Sequence, residues 1–336
     1  MRRLSGAFAI GAVGVMLLGI WQPAWIGAGA LAAAINASNI VLGCLLLALL
    51  TPLINGRWHM LLAPGSGLGN SAVVLLVPML LPVLLAMAWL YPWFHVDAPG
   101  FRGLWLSPWF FVVRTLLYAG LALALLCWSQ RPDAERSAPG LILYGLMVSL
   151  AAVDWLMSLQ SGFVSSLFGV LLIARQLLDG LAFAGLCVLC WNLVPLPPPQ
   201  RQVLRGLLVS ALAFWAYVHF MQYLIIWSVN LQHETQWYRV REGGIWGVVS
   251  GLLMAGQVMC LLALASPWGG RPQVLIWGCS AILLLGSVES IWMSLPSIFP
   301  DVEIGAGLMA VLCQGIYGLG LWAWWRWQWQ RRRHEI

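Results

Sequence analysis

The chain contains no lysine, and only 8% of its 336 residues are charged. A water-soluble domain of this length carries about a quarter of its residues as charges. Here 61% are hydrophobic and the mean hydropathy is +0.86, so lipid must cover much of the surface. Histidine is also scarce. Of five, only His219 falls well inside an apolar segment. A membrane haem usually needs two axial ligands, commonly histidines, which argues against a resident haem. Seven cysteines are scattered through apolar stretches, where thiols pack as small apolar groups. Cys187 and Cys190 form a C-x-x-C followed by Trp191, which is not a haem-attachment pattern, and no second pair completes a zinc or iron–sulfur site. Walker, dinucleotide-fingerprint and H-E-x-x-H patterns are missing as well, which excludes the nucleotide and metalloprotease chemistry they carry. No loop is long enough for a soluble domain; the largest runs roughly from Ser228 to Gly243. Any electron-transfer domain must therefore belong to a partner.

What the chain has is apolar length. Ten segments suffice to cross a hydrocarbon core of about 30 Å. They fall near 4–20, 30–52, 71–91, 107–128, 138–158, 164–192, 204–228, 244–265, 272–294 and 303–325. The first is read as a retained helix rather than a secretory signal, because the next span begins almost at once. The expected fold is an all-α polytopic membrane protein. With ten spans and the N-terminus inside, twelve of the seventeen arginines fall in inner loops or tails. Only Arg102, Arg239 and Arg241 fall outside, and Arg114 and Arg175 lie within spans. That asymmetry places both termini in the cytoplasm and explains a pI near 9.2 without nucleic acid. The Trp-rich stretch Trp322 to Trp329, leading into Arg331-Arg332-Arg333, reads as an anchor for anionic headgroups.

One phrase occurs twice. Met157-Ser158-Leu159-Gln160-Ser161-Gly162-Phe163 and Met293-Ser294-Leu295-Pro296-Ser297-Ile298-Phe299 share the pattern M-S-L-x-S-x-F, 136 residues apart. Each copy closes a long apolar segment. The spacing predicts a duplicated four-helix unit, 30–163 and 164–302, inserted in the same direction and related by an axis near the membrane normal. A last helix and basic tail, 303–336, follow.

Ionisable groups inside a bilayer are costly and mark ion, proton or ligand sites by default. Here they are Arg114, Asp154, Arg175, Asp179, His219 and Glu289. All but Asp179, which lies near mid-membrane, fall in the outer half and form a polar layer. Arg175 and Asp179 are one helical turn apart and can pair; Arg114 can pair with Asp154 or Glu289. Such pairs can simply hold helices in register. They can also line a proton path or a quinol-head pocket, since quinol oxidation needs an acceptor for each of two protons. Asp154, His219 and Glu289 are the candidate acceptors. Two positive and three negative groups leave one carboxylate without a full partner.

The run Phe220 to Arg241, F-M-Q-Y-L-I-I-W-S-V-N-L-Q-H-E-T-Q-W-Y-R-V-R, together with Asp154-Trp155-Leu156-Met157-Ser158-Leu159 and Ser165 to Gly169, resembles the second quinone-binding membrane subunit of alternative complex III. That is the ActF type of the NrfD/PsrC-like family. The resemblance implies ten helices in two four-helix bundles and residence in a bacterial inner-membrane quinol oxidoreductase, as a subunit not catalytic alone. It implies iron–sulfur, cytochrome c and other membrane subunits as partners and a mobile quinone as ligand. Carried over by motif, Asp154, Ser158, Gln222, Tyr223, Trp227, Asn230, Glu234, Trp237 and Tyr238 are the residues of interest. Together with the intramembrane Arg114, Arg175 and Asp179, the motif residues Gln222, Tyr223 and Trp227 are the quinone or proton-path candidates. Departures occur at Gln160-Ser161-Gly162-Phe163, Ser228-Val229 and Gln232-His233. A structural scaffold and a secondary transporter are the rival readings.

Overall fold

The computed structural model describes residues 22–54, 58–96, 99–130, 134–191, 193 and 196–334. The expected first span, 4–20, lies outside the described residues. Among them, nine helical stretches are long and apolar enough to cross a membrane, and no strand occurs. The protein is an all-α, multi-pass membrane protein.

The helices are α1 (Pro23–Leu50), α2 (Trp58–Gly69), α3 (Val73–Leu85), α4 (Met87–Leu90), α5 (Gly100–Trp105), α6 (Pro108–Ser129), α7 (Ala134–Trp155), α8 (Phe168–Trp191), α9 (Pro198–Val229), α10 (Gln232–Glu242), α11 (Gly244–Ala265), α12 (Pro272–Ile298) and α13 (Ile304–His334). Four of them, α1, α6, α9 and α12, open on proline, whose missing N–H costs nothing in a first helical turn. Helix α9 stops where Asn230 turns left-handed at φ 52°.

Several starting points differ from the sequence expectation, among them that of α9, which begins at Pro198 rather than near 204. The span expected from residue 30 begins at Pro23. The one expected at 71–91 is crossed by Met60–Leu85, built from α2, a 3-10 turn at Asn70–Ala72, and α3. Pro64-Gly65-Ser66-Gly67 had the composition of a loop. It is helical because these small residues let α2 press against α8. A Cβ on Gly65 would sit 2.7 Å from the Ala184 carbonyl oxygen. A proline inside a membrane helix is tolerated where neighbouring groups take up the freed backbone.

Helices α1 and α8 form the centre. In each, 78% of the most apolar window is buried inside the protein, against 22% for α11, which turns most of its surface to lipid. Their backbones touch. A Cβ on Gly43 would lie 1.9 Å from the Gln176 carbonyl oxygen, and one on Gly180 would lie 2.4 Å from the Gly43 carbonyl carbon. Small residues at such crossings replace the hydrophobic driving force that lipid removes.

The two M-S-L-x-S-x-F segments sit in matching surroundings. The Trp155 indole donates to Thr115 Oγ1 at 3.3 Å, between α7 and α6. The Trp292 indole donates to Ser250 Oγ at 2.7 Å, between α12 and α11. Each tryptophan carbonyl is also freed from its own helix. After Trp155 the helix tightens to a 3-10 turn, so the Leu159 N–H goes to the Leu156 carbonyl. After Trp292, the residue four further on is Pro296, which has no N–H. Each freed carbonyl takes a donor from the segment that precedes the neighbouring span. Tyr91 Oη reaches Trp155 at 3.1 Å, and Arg241 Nε reaches Trp292 at 3.1 Å. Burial holds the Tyr91 phenol well above its ordinary range, which keeps it a donor.

Because successive spans alternate in direction, α10, the Tyr91–Ser107 corner and both motif ends share one face. Arg136, Arg201, Arg205 and Arg271, at or near the first turns of α7, α9 and α12, lie on the opposite face.

Candidate functional site

The six intramembrane ionisable residues gather into two separate clusters. In the first, Arg114 of α6 pairs with Asp154 of α7 through two parallel bonds, Nε to Oδ2 at 2.8 Å and Nη2 to Oδ1 at 2.9 Å. Tyr118 donates to Oδ2 at 2.7 Å and the Trp105 indole to Oδ1 at 3.1 Å. Each carboxylate oxygen therefore accepts two hydrogen bonds, which exhausts the acceptor capacity of a carboxylate. The guanidinium stacks over Trp105, 4.1 Å from its centroid, and donates to its carbonyl at 2.8 Å. This is a closed electrostatic unit in which every carboxylate lone pair is already used.

The second cluster is different. Arg175 of α8 holds Asp179 one turn along, with Nε to Oδ2 at 2.9 Å and a second bond from Nη2 to Oδ1. It also donates through Nη1 to Glu289 Oε2 of α12 at 3.1 Å and through Nη2 to the Ile282 carbonyl at 2.6 Å. Gly286 makes room for this group, since a Cβ there would lie 2.4 Å from Arg175 Nη2. One guanidinium thus faces two carboxylates.

The other oxygen of Glu289, Oε1, accepts from the Trp215 indole at 3.0 Å. His219 Nε2 lies 3.2 Å from it, at an angle that leaves that nitrogen without a hydrogen-bond partner. The other ring nitrogen, Nδ1, is 3.0 Å from the Trp215 carbonyl, which can only accept. Nδ1 therefore carries the hydrogen in the neutral ring, and Nε2 presents a lone pair toward a carboxylate oxygen. Two acceptors at this separation repel unless a proton lies between them. With one proton there, two carboxylates meet two cations and the cluster is neutral; without it, the cluster keeps one buried negative charge. The Glu289–His219 pair is the candidate proton site.

Glu289 and His219 line a cavity of about 410 Å³ between α9, α10, α11 and α12. Its walls are aromatic and aliphatic: Trp215, Phe220, Tyr223, Trp237, Tyr238, Leu253, Met254 and Trp292. Phe220, Tyr223 and Met254, at 59%, 41% and 47% exposure, lie on the outward sides of α9 and α11. The cavity therefore opens sideways between those two helices.

Its roof is α10, bracketed by left-handed residues at Asn230 and at Gly244, both at φ 52°. Trp237 is buried and stacks on Phe163 at 5.3 Å. Arg241 pins the roof. It donates to the carbonyls of Trp292, Trp237 and Met293 and to Ser297 Oγ, at 2.8 to 3.1 Å, and lies over the Trp237 ring at 3.7 Å. Burial lowers its guanidinium to about 9, so it remains a cation at neutral pH.

Of the remaining candidates, Tyr223 lines the cavity and meets Tyr238 edge-on at 5.1 Å. Gln222 does not line it: the side chain is buried, accepts from Ser165 Oγ at 2.7 Å, and keeps an Nε2 without a partner among the described residues. Trp227 lies outside, on a hollow of about 250 Å³ near the face. Asp154 borders a hollow of about 480 Å³ that faces the same side, with Arg102, Trp105 and Ser158. A small cavity of about 30 Å³ lies among Ser38, Tyr118, Trp155 and Gln176.

Trp215 and Arg241 were not singled out from the sequence as site residues. Trp215 stands one turn before His219, and Arg241 one turn after Trp237, so helical spacing carried a signal for both. Among the described residues, no group of three His, Cys, Asp or Glu side chains comes together as a metal site. Compared with known proteins, the sequence matches no family model and no curated relative.

Proposed function

We propose that this chain is a membrane subunit of a bacterial inner-membrane quinol oxidoreductase and that it binds quinol in the cavity beneath α10. The observation that carries the reading is the Glu289–His219 pair, two facing acceptors at the wall of an apolar cavity open to lipid. A quinol is a hydroxylated ring on an isoprenoid tail. Its ring suits the aromatic walls, its tail suits a mouth in the bilayer, and its hydroxyl proton suits the gap at Glu289. Oxidation releases two protons and two electrons. The Glu289–His219 pair takes up the protons one at a time, as a general base. The electrons pass to a redox centre on a partner; by the resemblance described above, partners would be iron–sulfur and cytochrome c subunits. The arginine-rich face is the cytoplasmic one in this reading, with both termini there, so protons leave on the opposite side.

The closed Arg114–Asp154 unit supports a structural role for the first bundle, with Asp154 holding helices rather than protons. The test is turnover in the assembled complex. Glu289→Gln keeps size and the Trp215 bond but cannot accept a proton, and should slow quinol oxidation by about 100-fold or more. Normal assembly with unchanged turnover would remove this site from the chemistry.

A further inference from the structure

A second cavity lies on the far side of the molecule from α10, between α3 and α13. It is an open groove of about 630 Å³ lined by Leu75, Pro78, Met79 and Pro82 on one side and by Tyr317, Gly320, Trp324 and Trp327, among others, on the other. Two of the polar groups along it are used internally. Tyr317 Oη donates to the Met79 carbonyl at 2.8 Å, and the Trp324 indole donates to the Ser71 carbonyl at 3.1 Å. What remains facing outward is apolar, which fits a hydrocarbon chain and not a polar ligand.

Its length and its end identify the class. From Tyr317 to Trp327 the helix rises about 15 Å, half of a hydrocarbon core of about 30 Å and hence one leaflet. The groove face of α13 runs through Tyr317, Gly320, Trp324 and Trp327, and one turn further it reaches Arg331. That exposed guanidinium lies 3.9 Å over the Trp327 ring. A guanidinium held flat on an indole keeps its N–H edges free for phosphate oxygens. Arg332 and Arg333 follow in sequence.

We infer that this groove is a binding site for an anionic phospholipid, with an acyl chain between α3 and α13 and its phosphate on Arg331. The site is separate from the cavity under α10 and does not depend on the function proposed for it.

The test is native mass spectrometry of the full chain, purified in mild detergent and titrated with phosphatidylglycerol or phosphatidylcholine. Wild type should retain phosphatidylglycerol about fivefold or more over phosphatidylcholine. Arg331→Gln should abolish that preference, lowering phosphatidylglycerol retention to the level of phosphatidylcholine. Ala323→Phe, which fills the groove, should lower retention of both lipids. Arg326 stacks over Trp322, off the groove face, at 5.2 Å. Arg326→Gln should therefore leave the preference intact. Loss of preference in both arginine variants would mean general attraction to a basic surface and overturn the site. Equal retention of the two lipids by wild type, or full retention by Ala323→Phe, would overturn it too, leaving the groove to ordinary boundary lipid or a partner's helix.

Discussion

Arg241→Met tests how the roof of the α10 cavity is held. The substitution removes donors to three carbonyls and one hydroxyl and leaves a side chain of similar length. The Trp292 carbonyl suffers most, because Pro296 cannot replace the lost donor. A buried acceptor left unsatisfied costs about 1–3 kcal/mol. Loss of the stack on Trp237 adds about 1–2 kcal/mol for a desolvated pair. Removing a buried cation returns part of this, so a net loosening of α10 by about 2 kcal/mol is expected. Limited proteolysis or hydrogen exchange over Gln232–Glu242 should show about 30-fold faster opening, with the melting temperature moving little because the spans are untouched. The reasoning has an internal check. Pro296→Ala restores an N–H four residues after Trp292, so Arg241→Met should cost about 1 kcal/mol less in that background. Equal costs with and without Pro296 would refute the account of this carbonyl.

Three further outcomes follow from the same geometry. Asp154→Asn strands the Arg114 charge and should destabilise the protein by about 3–5 kcal/mol, read by thermal unfolding in detergent, while turnover per assembled complex stays near wild type. Gly43→Ala places a methyl group 1.9 Å from a carbonyl oxygen and should abolish folded protein on size exclusion, whereas Gly120→Ala, with nothing within 4 Å, should behave as wild type. The attachment of α10 should not change between pH 5 and 8. The folded Arg241 value lies near 9, below its value in the unfolded chain, so the two states bind different numbers of protons only above that range. Hydrogen exchange across that interval, corrected for its intrinsic rate, reads this directly.

The fold was legible because apolar runs leave a membrane helix little choice. The exceptions were ends set by neighbours: residues 58–69 read as a loop until α8 supplied a surface for Gly65. The ionisable residues were legible for a related reason, since each is expensive in lipid. Their pairing was not. Arg114 had two possible carboxylates, and only helix positions select Asp154 over Glu289. Nor could composition divide the two clusters into one that is saturated and one that leaves His219 Nε2 without a partner. Arg241 was counted as a charge in an outer loop because Gln232–Glu242 is polar. Its burial depends on Pro296, more than fifty residues away, leaving a carbonyl without a donor. The cavity itself is a gap among four helices, and no single segment records a gap.

The most direct test of the central claim is to photolabel the assembled complex with an azido-quinone and map the modified residues by mass spectrometry. The account predicts labels on the α9, α10 and α11 walls, at Phe220, Tyr223, Tyr238 or Met254, and their loss with excess unmodified quinone. Labels confined to a partner subunit, or to the Asp154 side, would contradict it.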